Sequence, residues 1–264
     1  MRKFWKPLLA ILVFCFMQVL AGGVFLLIKG VDSAKEIGQS PALLAWGLIL
    51  SDVVTVAVLF AMRMIRPKTL KVKGLKWKHA SLALVGAISG IIATDLLSEQ
   101  LTLPNLMEME FRGLSHSFWG IMAICIIGPI VEELVFREGI AGYLVRHRAH
   151  RWTAIFFSAI AFSIIHLNPA QMPFAFIMGI ILGIIYVKMG SIVLTSIIHI
   201  LNNSLAVLEM NLLGDRAEEI TYADLLGGTT VVYAYIVVCT ILSILFLRQF
   251  WLQYHRDHHY RDEE

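Results

Sequence analysis

The sequence predicts an all-α membrane protein, a polytopic bundle of about eight transmembrane helices, and three observations support this prediction. Of its 264 residues, 58% are hydrophobic and only 16% are charged, and the mean hydropathy is +0.75, which excludes an ordinary soluble domain. Apolar windows close to the ~20 residues that cross the hydrocarbon layer recur along the chain. These windows are continuous rather than alternating, so they favour helices over the strands of a barrel.

The windows also set the number of helices and the domain organisation. The fifth and sixth of them are short for a full span, so six spanning helices with a re-entrant pair are an alternative to eight. No repeat, low-complexity tract or linker divides the chain, which predicts a single membrane domain over residues 1–264. The first window follows a basic start and is interpreted as a retained helix rather than a cleaved signal peptide. The windows lie near residues 7–28, 42–62, 80–98, 117–143, 152–167, 174–188, 190–208 and 229–250.

Charge between the windows predicts a multi-pass protein of the cell membrane with both termini in the cytoplasm. Residues 63–79 carry seven lysines and arginines and no acid, and residues 146–151 are basic again. By contrast, residues 99–112 hold three acids against one base, and residues 209–224 hold five against one. The positive-inside rule places the basic stretches inside. Because the segment at 63–79 lies between two spans, it favours contact with anionic lipid over binding of nucleic acid.

The three cysteines carry no sign of a disulfide or of a zinc site. Cys15, Cys125 and Cys239 fall within apolar windows and are far apart in the sequence. None of them has the paired spacing C-x-x-C, so we interpret them as packing residues.

Three groups of polar residues lie where lipid-compatible residues are expected. They are Glu132, Glu133 and Arg137 in the fourth window, His166 four residues after Phe162 in the fifth, and His199 four residues before Asn203 in the seventh. A charge at mid-bilayer costs at least about 3 kcal/mol, so such residues mark a function by default.

The spacing within these groups indicates what each residue can do. Residues four apart share a helix face, so Glu133 can pair with Arg137 while Glu132 points roughly 100° away and stays free as a general base. His199 and Asn203 can likewise project together and hold a developing oxyanion. His166 can share with Glu132 the activation of a water molecule.

Other uses of the same residues stay open at this level. There is no G-x-S-x-G elbow and no serine or cysteine at a triad-like spacing, which disfavours covalent catalysis. H-E-x-x-H is also absent, but Glu132, His166 and His199 could together ligate zinc, and residue types alone do not separate zinc from glutamate-activated water. Each group could also lock helices together. Asp52 is a further polar partner or lines an entry path, and Asp95 lies near an interface.

Taken in order, the motifs resemble those of the CPBP family, which unites type II CAAX prenyl proteases with bacteriocin-processing and immunity proteins. Residues 128–137 read GPIVEELVFR, followed by Phe162-x-x-x-His166 and His199-x-x-x-Asn203. The family motifs are E-E-x-x-x-R, F-x-x-x-H and H-x-x-x-N, and all three are matched in this order. The resemblance implies an α-helical intramembrane endopeptidase with a catalytic core at about 114–208.

Carried across residue by residue, the resemblance gives each motif residue a role. Glu132 and His166 would activate water, His199 and Asn203 would stabilise the oxyanion, and Glu133, Arg137 and Phe162 would be structural. We favour the glutamate mechanism without a cofactor over zinc because it accounts for every polar motif residue.

Three functions compete. The first is an endopeptidase acting on a peptide or membrane-protein substrate. The second is a non-enzymatic immunity or regulatory protein that binds a peptide at the same polar cavity. A proton-coupled transporter is the third, although no pair of broken segments in matching halves supports it.

The depth of the motifs within the bilayer adds a constraint. If the fourth helix began at Ser117 on the outer side, Glu132 would lie ~22 Å inward. His166 would lie ~21 Å from the inner end of the fifth window, leaving the two ~13 Å apart along the normal of a ~30 Å core. We therefore predict a long or broken fourth helix, extending toward Arg146 with a kink at Gly128-Pro129.

Overall fold

The structure is a computed structural model that describes residues 4–29, 40–71, 76–101, 103–213 and 220–259. Within these ranges the chain forms helices and no strand, which confirms the all-α prediction. The helices are α1 (Trp5–Lys29), α2 (Pro41–Ala61), α3 (Trp77–Gln100), α4 (Glu108–Ser115), α5 (Phe118–Arg146), α6 (Arg151–Ile164), α7 (Met172–Met189), α8 (Val193–Leu213), α9 (Tyr222–Leu226) and α10 (Thr229–His259).

Each of the eight predicted windows corresponds to one of the longer helices. Six of these, namely α2, α3, α5, α7, α8 and α10, are long and apolar enough to cross a membrane. The shorter apolar stretches are α6, with 14 residues, and Trp5–Leu20 within α1. The polytopic helical bundle is therefore confirmed, whereas the number eight is not.

Glycines allow two pairs of helices to approach closely. A Cβ atom added to Gly86 of α3 would lie 2.9 Å from Leu247 Cγ of α10. One added to Gly179 of α7 would lie 2.9 Å from the Cα atom of Ala159 in α6. In lipid, helices associate through van der Waals packing of this kind, because lipid tails are as apolar as leucine. α3 therefore packs along α10, and α6 along α7.

α5 is the long fourth helix that the depth constraint predicts. It runs without interruption for 29 residues to Arg146, so the predicted extension is confirmed. It does not break at Gly128-Pro129. Instead, its hydrogen bonds widen to the π-helical type over Met122–Ile127 and again over Glu133–Gly142. Single π-helical turns within α-helices are frequent at functional sites.

The predicted basic stretches meet at one end of the bundle. Arg146, at the end of α5, donates to the carbonyl oxygen of Met64 after α2 at 3.0 Å. The N–H of Ile192, just before α8, donates to the carbonyl oxygen of Thr69 at 3.0 Å. Lys73, which belongs to the same predicted stretch, lies outside the described residues.

Acidic residues meet at the other end, around the last turns of α3. The hydroxyl of Tyr222 in α9 lies 2.7 Å from a carboxylate oxygen of Asp95 and 2.8 Å from one of Glu209. Its backbone N–H donates to Glu99 at 2.8 Å. Residues 214–219, which carry further predicted charges, lie outside the described residues. Opposite charges thus occupy opposite ends, while the end that faces the cytoplasm stays a prediction.

Candidate active site

The predicted ion pair between Glu133 and Arg137 forms inside α5. Arg137 Nη2 lies 3.1 Å from Glu133 Oε1, and both side chains are fully buried. The guanidinium also lies 4.4 Å from the centroid of the Phe162 ring, above its face, where a desolvated cation–π contact contributes about 2 kcal/mol. The pair lacks hydrogen-bond alignment, so the three guanidinium nitrogens of Arg137 donate no hydrogen bond to any described residue.

His199 lies between the two adjacent glutamates of α5. Its Nδ1 is 3.2 Å from Glu133 Oε1, and its Nε2 is 3.5 Å from Glu132 Oε2. A carboxylate only accepts, so Nδ1 donates to Glu133 and this bond fixes the orientation of the ring. The sequence prediction placed Glu132 with His166 and His199 with Asn203. The structure instead places the His199 ring beside both carboxylates.

Exposure separates the two glutamates. The Glu132 side chain is 20% exposed, whereas that of Glu133 is completely buried and that of His199 is 4% exposed. A reacting group must be reachable, so Glu132 is the carboxylate that a water molecule and a substrate can approach. Glu133 can act only through the side chains that it contacts.

Phe162 connects the second motif to the other two. Its ring lies 5.0 Å from the His166 ring and 5.6 Å from the His199 ring, both in edge contacts. His166 Nδ1 lies 2.6 Å from the carbonyl oxygen of Phe162, one turn back. A carbonyl oxygen only accepts, so Nδ1 carries the hydrogen and Nε2 of the neutral ring keeps its lone pair. His166 is half-buried and therefore combines access with a free basic nitrogen.

The third motif reaches α5 through a carbonyl group that the helix leaves unused. In the π-helical turn the N–H of Gly128 donates to Ala123, five residues back. In the same pattern residue 129 would donate to the carbonyl oxygen of Ile124. Residue 129 is a proline, however, and has no N–H. The amide nitrogen of Asn203 donates to the Ile124 carbonyl oxygen instead, at 2.9 Å. Pro129 and Asn203 therefore act on the same backbone group.

Asp52 of α2 is a further acidic neighbour of the site. It is buried and accepts a hydrogen bond from Gln18 of α1 at 3.2 Å. Its other oxygen lies 4.0 Å from the point where a Cβ of Gly128 would lie, one turn before Glu132. Of the two uses that the sequence allowed, the structure shows the polar partner. Gln18 was missed, and its mid-window polar side chain is the signal that could have found it.

Glu138 forms a second buried ionic cluster that the sequence reading missed. Its carboxylate lies 2.8 Å from Arg66 Nε and 3.0 Å from Arg146 Nη1. Tyr186 of α7 donates a short hydrogen bond to its other oxygen. The available signal was a glutamate five residues after Glu133 in an apolar helix. Its partners come from the segments after α2 and at the end of α5, which places this cluster at the basic end of the bundle.

The donors named for a zinc site are not arranged as metal ligands. Among the described residues, no group of three histidine, cysteine, aspartate or glutamate side chains is placed to hold a metal ion. Glu132 and His199 do lie together, but both nitrogens of His199 already face carboxylates. In this arrangement the described residues form no zinc site. Independence of the reaction from a metal stays a prediction, and no step below runs through a metal.

Comparisons with known proteins agree with the motifs. The family model of Rce1-like type II CAAX prenyl endopeptidases matches residues 114–205. A membrane-embedded CAAX protease of Staphylococcus aureus strain USA300, named MroQ, is 26% identical over 226 residues, covering 79% of this chain and 90% of the relative. No solved structure matches the chain.

Proposed function

Since the chain belongs to the CAAX (CPBP) family of membrane proteases, we propose that it is an intramembrane endopeptidase whose Glu132 activates water. One observation carries this proposal: Glu132 is reachable, and it lies beside a buried His199 whose orientation Glu133 fixes. The substrate is a peptide or a segment of a membrane protein.

Water activation uses Glu132 together with His166. Glu132 accepts a proton from the water as the oxygen attacks the scissile carbonyl carbon. His166 turns its Nε2 lone pair to the same water, because its Nδ1 is occupied by the Phe162 carbonyl. The proton held by Glu132 then passes to the leaving amine, which closes the cycle without a covalent intermediate.

Stabilisation of the oxyanion falls to His199 and Asn203. The amide nitrogen of Asn203 has two hydrogens, and the one that Ile124 does not accept can donate to the oxyanion. When Glu132 has taken the proton of the water, the Nε2–H of a protonated His199, which faced the Glu132 carboxylate, becomes available as a cationic donor to the oxyanion. One preorganised donor of this kind contributes about 3 kcal/mol to transition-state stabilisation.

The charges of the cluster balance when His199 and Glu132 share one proton. Glu133 and Arg137 neutralise each other within α5. The remaining proton can lie on His199, with Glu132 ionised, or on Glu132, with His199 neutral. Both arrangements leave the four residues with no net charge, which a low-dielectric interior favours. Moving the proton between them thus changes the chemistry of the site without changing its net charge.

The test is cleavage of a peptide library by the purified protein in nanodiscs, with and without prenylated members. We expect Glu132→Gln to reduce cleavage about 10³-fold because the general base is lost. Glu110→Gln makes the same chemical change on α4, outside the cluster, and serves as the matched control that keeps full activity. A zinc chelator should leave wild-type cleavage unchanged.

Each other outcome contradicts a part of the proposal. Loss of cleavage with the chelator as well as on substitution would indicate a metalloprotease. Normal cleavage by the Glu132→Gln variant would exclude Glu132 as the base. A wild-type protein that binds library peptides but cleaves none would favour the immunity or regulatory alternative.

A further inference from the structure

A long apolar cavity lies between α3, α7 and α10, apart from the Glu132 cluster. Its volume is about 500 Å³. The lining is almost entirely apolar, and none of the polar residues of the candidate active site contributes to it. Representative lining residues are Ala93, Ile177, Ile181, Ile236, Ile244 and Leu252.

The cavity has the length of one extended hydrocarbon chain. Along α10 it extends from Ile236 to Leu252, which at 1.5 Å per residue is about 24 Å. This distance covers most of a hydrocarbon core ~30 Å thick. The cavity therefore runs along the helices and across the membrane layer.

The lining excludes an extended peptide as the preferred occupant. Each peptide group brings an N–H and a carbonyl that need partners away from water. The lining offers few polar atoms, and one of them, the Thr94 hydroxyl, already donates to the carbonyl oxygen of Gly90. A hydrocarbon chain needs no such partners.

One end of the cavity carries three cations. Arg248 and Trp251 line it, and Lys188 Nζ lies 4.2 Å from the centroid of the Trp251 ring. Arg151 directly precedes Trp152, which lines this end of the cavity. Within the described part of the chain, none of these three cations forms an ion pair with a carboxylate.

Two tryptophans mark this end as the level of the membrane surface. The Trp152 and Trp251 rings stack with centroids 6.0 Å apart, and both rings line the cavity. Tryptophan is enriched where the hydrocarbon meets the headgroups. The cations thus lie at headgroup level, while the apolar part of the cavity lies at acyl-chain level.

We propose that this cavity binds one acyl chain of an anionic phospholipid, with the phosphate held by Arg151, Lys188 and Arg248. A negative headgroup relieves the repulsion among the three cations, which a zwitterionic headgroup does only in part. The bound lipid joins the start of α6 and the end of α7 to α10. This site is separate from the proposed peptidase chemistry.

The test is a titration of the full chain in detergent with phosphatidylglycerol or phosphatidylcholine of identical acyl chains, read by native mass spectrometry. We expect phosphatidylglycerol to bind roughly tenfold more tightly. The combined variant R151Q/K188Q/R248Q should lose this preference while still binding both lipids weakly. Water-soluble glycerol phosphate should not bind measurably, because it has no chain to fill the cavity.

Two controls keep the proposal falsifiable. R63Q/K68Q/K71Q removes three exposed cations from the same end of the bundle and should keep the preference. Ser243→Phe fills part of the cavity and should weaken the binding of both lipids equally. The proposal is overturned if the wild type does not distinguish the two lipids, if R151Q/K188Q/R248Q keeps the preference, or if both triple variants lose it. No substrate is needed, so failure here leaves the peptidase proposal untouched.

Discussion

Glu133 and Glu138 are both fully buried in α5, yet their surroundings differ in one respect. Both oxygens of Glu138 are engaged, by Arg66 and Arg146 on one side and by Tyr186 on the other. Glu133 uses only Oε1, and its Oε2 has no hydrogen-bond partner among the described residues. The Glu138 carboxylate is therefore saturated, whereas that of Glu133 can still accept a hydrogen bond.

This difference in hydrogen bonding indicates which of the two clusters can take part in a reaction. In a saturated ionic cluster every charged group already has its partners, so moving a proton would only break contacts. Such a cluster holds helices in place. An incompletely paired cluster tolerates a redistribution of charge, and the proton that we propose Glu132 and His199 to share would produce one. Both kinds of cluster are expensive in lipid, but only the second is next to a reachable carboxylate.

The largest effect on stability is expected for Glu138→Ala. It leaves Arg66 and Arg146 without their shared anion. Removing one partner of a buried pair costs about 3 to 5 kcal/mol, and the partial exposure of both arginines places the expected loss near the lower figure. Chemical unfolding in mixed micelles measures it. Glu108→Ala, which breaks an exposed pair with Arg112, should stay within about 0.5 kcal/mol. An equal loss of unfolding free energy in both variants would contradict the stabilising role of the buried Glu138 cluster.

A smaller and coupled effect is expected at the active site. Glu133→Gln and Arg137→Met should each cost about 2 to 3 kcal/mol, less than the full loss of a buried pair, because the remaining charge keeps one other contact: Glu133 keeps His199, and Arg137 keeps the Phe162 ring. The double variant should cost clearly less than the sum, since no charge remains alone. Unfolding free energies of the three variants provide this cycle. Additive losses would mean that the 3.1 Å pair carries no interaction energy.

Tyr186→Phe should have an intermediate effect on the saturated cluster. It removes the hydroxyl that donates to Glu138 and leaves the ring in place. A hydrogen bond to a charged group contributes about 1.5 to 3 kcal/mol, so we expect a loss near 1.5 kcal/mol with unchanged cleavage per folded molecule. Reduced cleavage at unchanged stability would instead connect this cluster to the reaction.

The smallest effect is expected for Pro129→Ala. The new N–H competes with Asn203 for the Ile124 carbonyl, which should displace the amide and lower cleavage several-fold. Stability should not fall, because alanine suits a helix interior better than proline. Pro173→Ala, in the first turn of α7, is the matched control and should keep full cleavage. If Pro129→Ala leaves cleavage unchanged, Asn203 is not a donor to the oxyanion.

The sequence was sufficient for features that depend on local pattern. Every apolar window became a helix, the i,i+4 spacing of Glu133 and Arg137 produced their ion pair, and the depth argument found the length of α5. Each of these depends on residues within a turn or on the thickness of the membrane. None of the three requires knowledge of which helices are neighbours.

Features that depend on distant partners could not be found in the same way. His199 reaches Glu133 across 66 residues, and Arg66 reaches Glu138 across 72. Periodicity tells which face a residue occupies but not which helix packs there. The link from Pro129 to Asn203 required the π-helical hydrogen bonds, which no residue pattern specifies.

The most direct test of the central claim is a side-by-side measurement of Glu132→Gln and Glu138→Gln, with cleavage expressed per folded molecule. Both are the same change in the same helix. We expect Glu132→Gln to lose about 10³-fold in cleavage with an unchanged unfolding midpoint. Glu138→Gln should lower the midpoint and leave the cleavage of the folded fraction intact. Wild-type cleavage by Glu132→Gln would contradict the account.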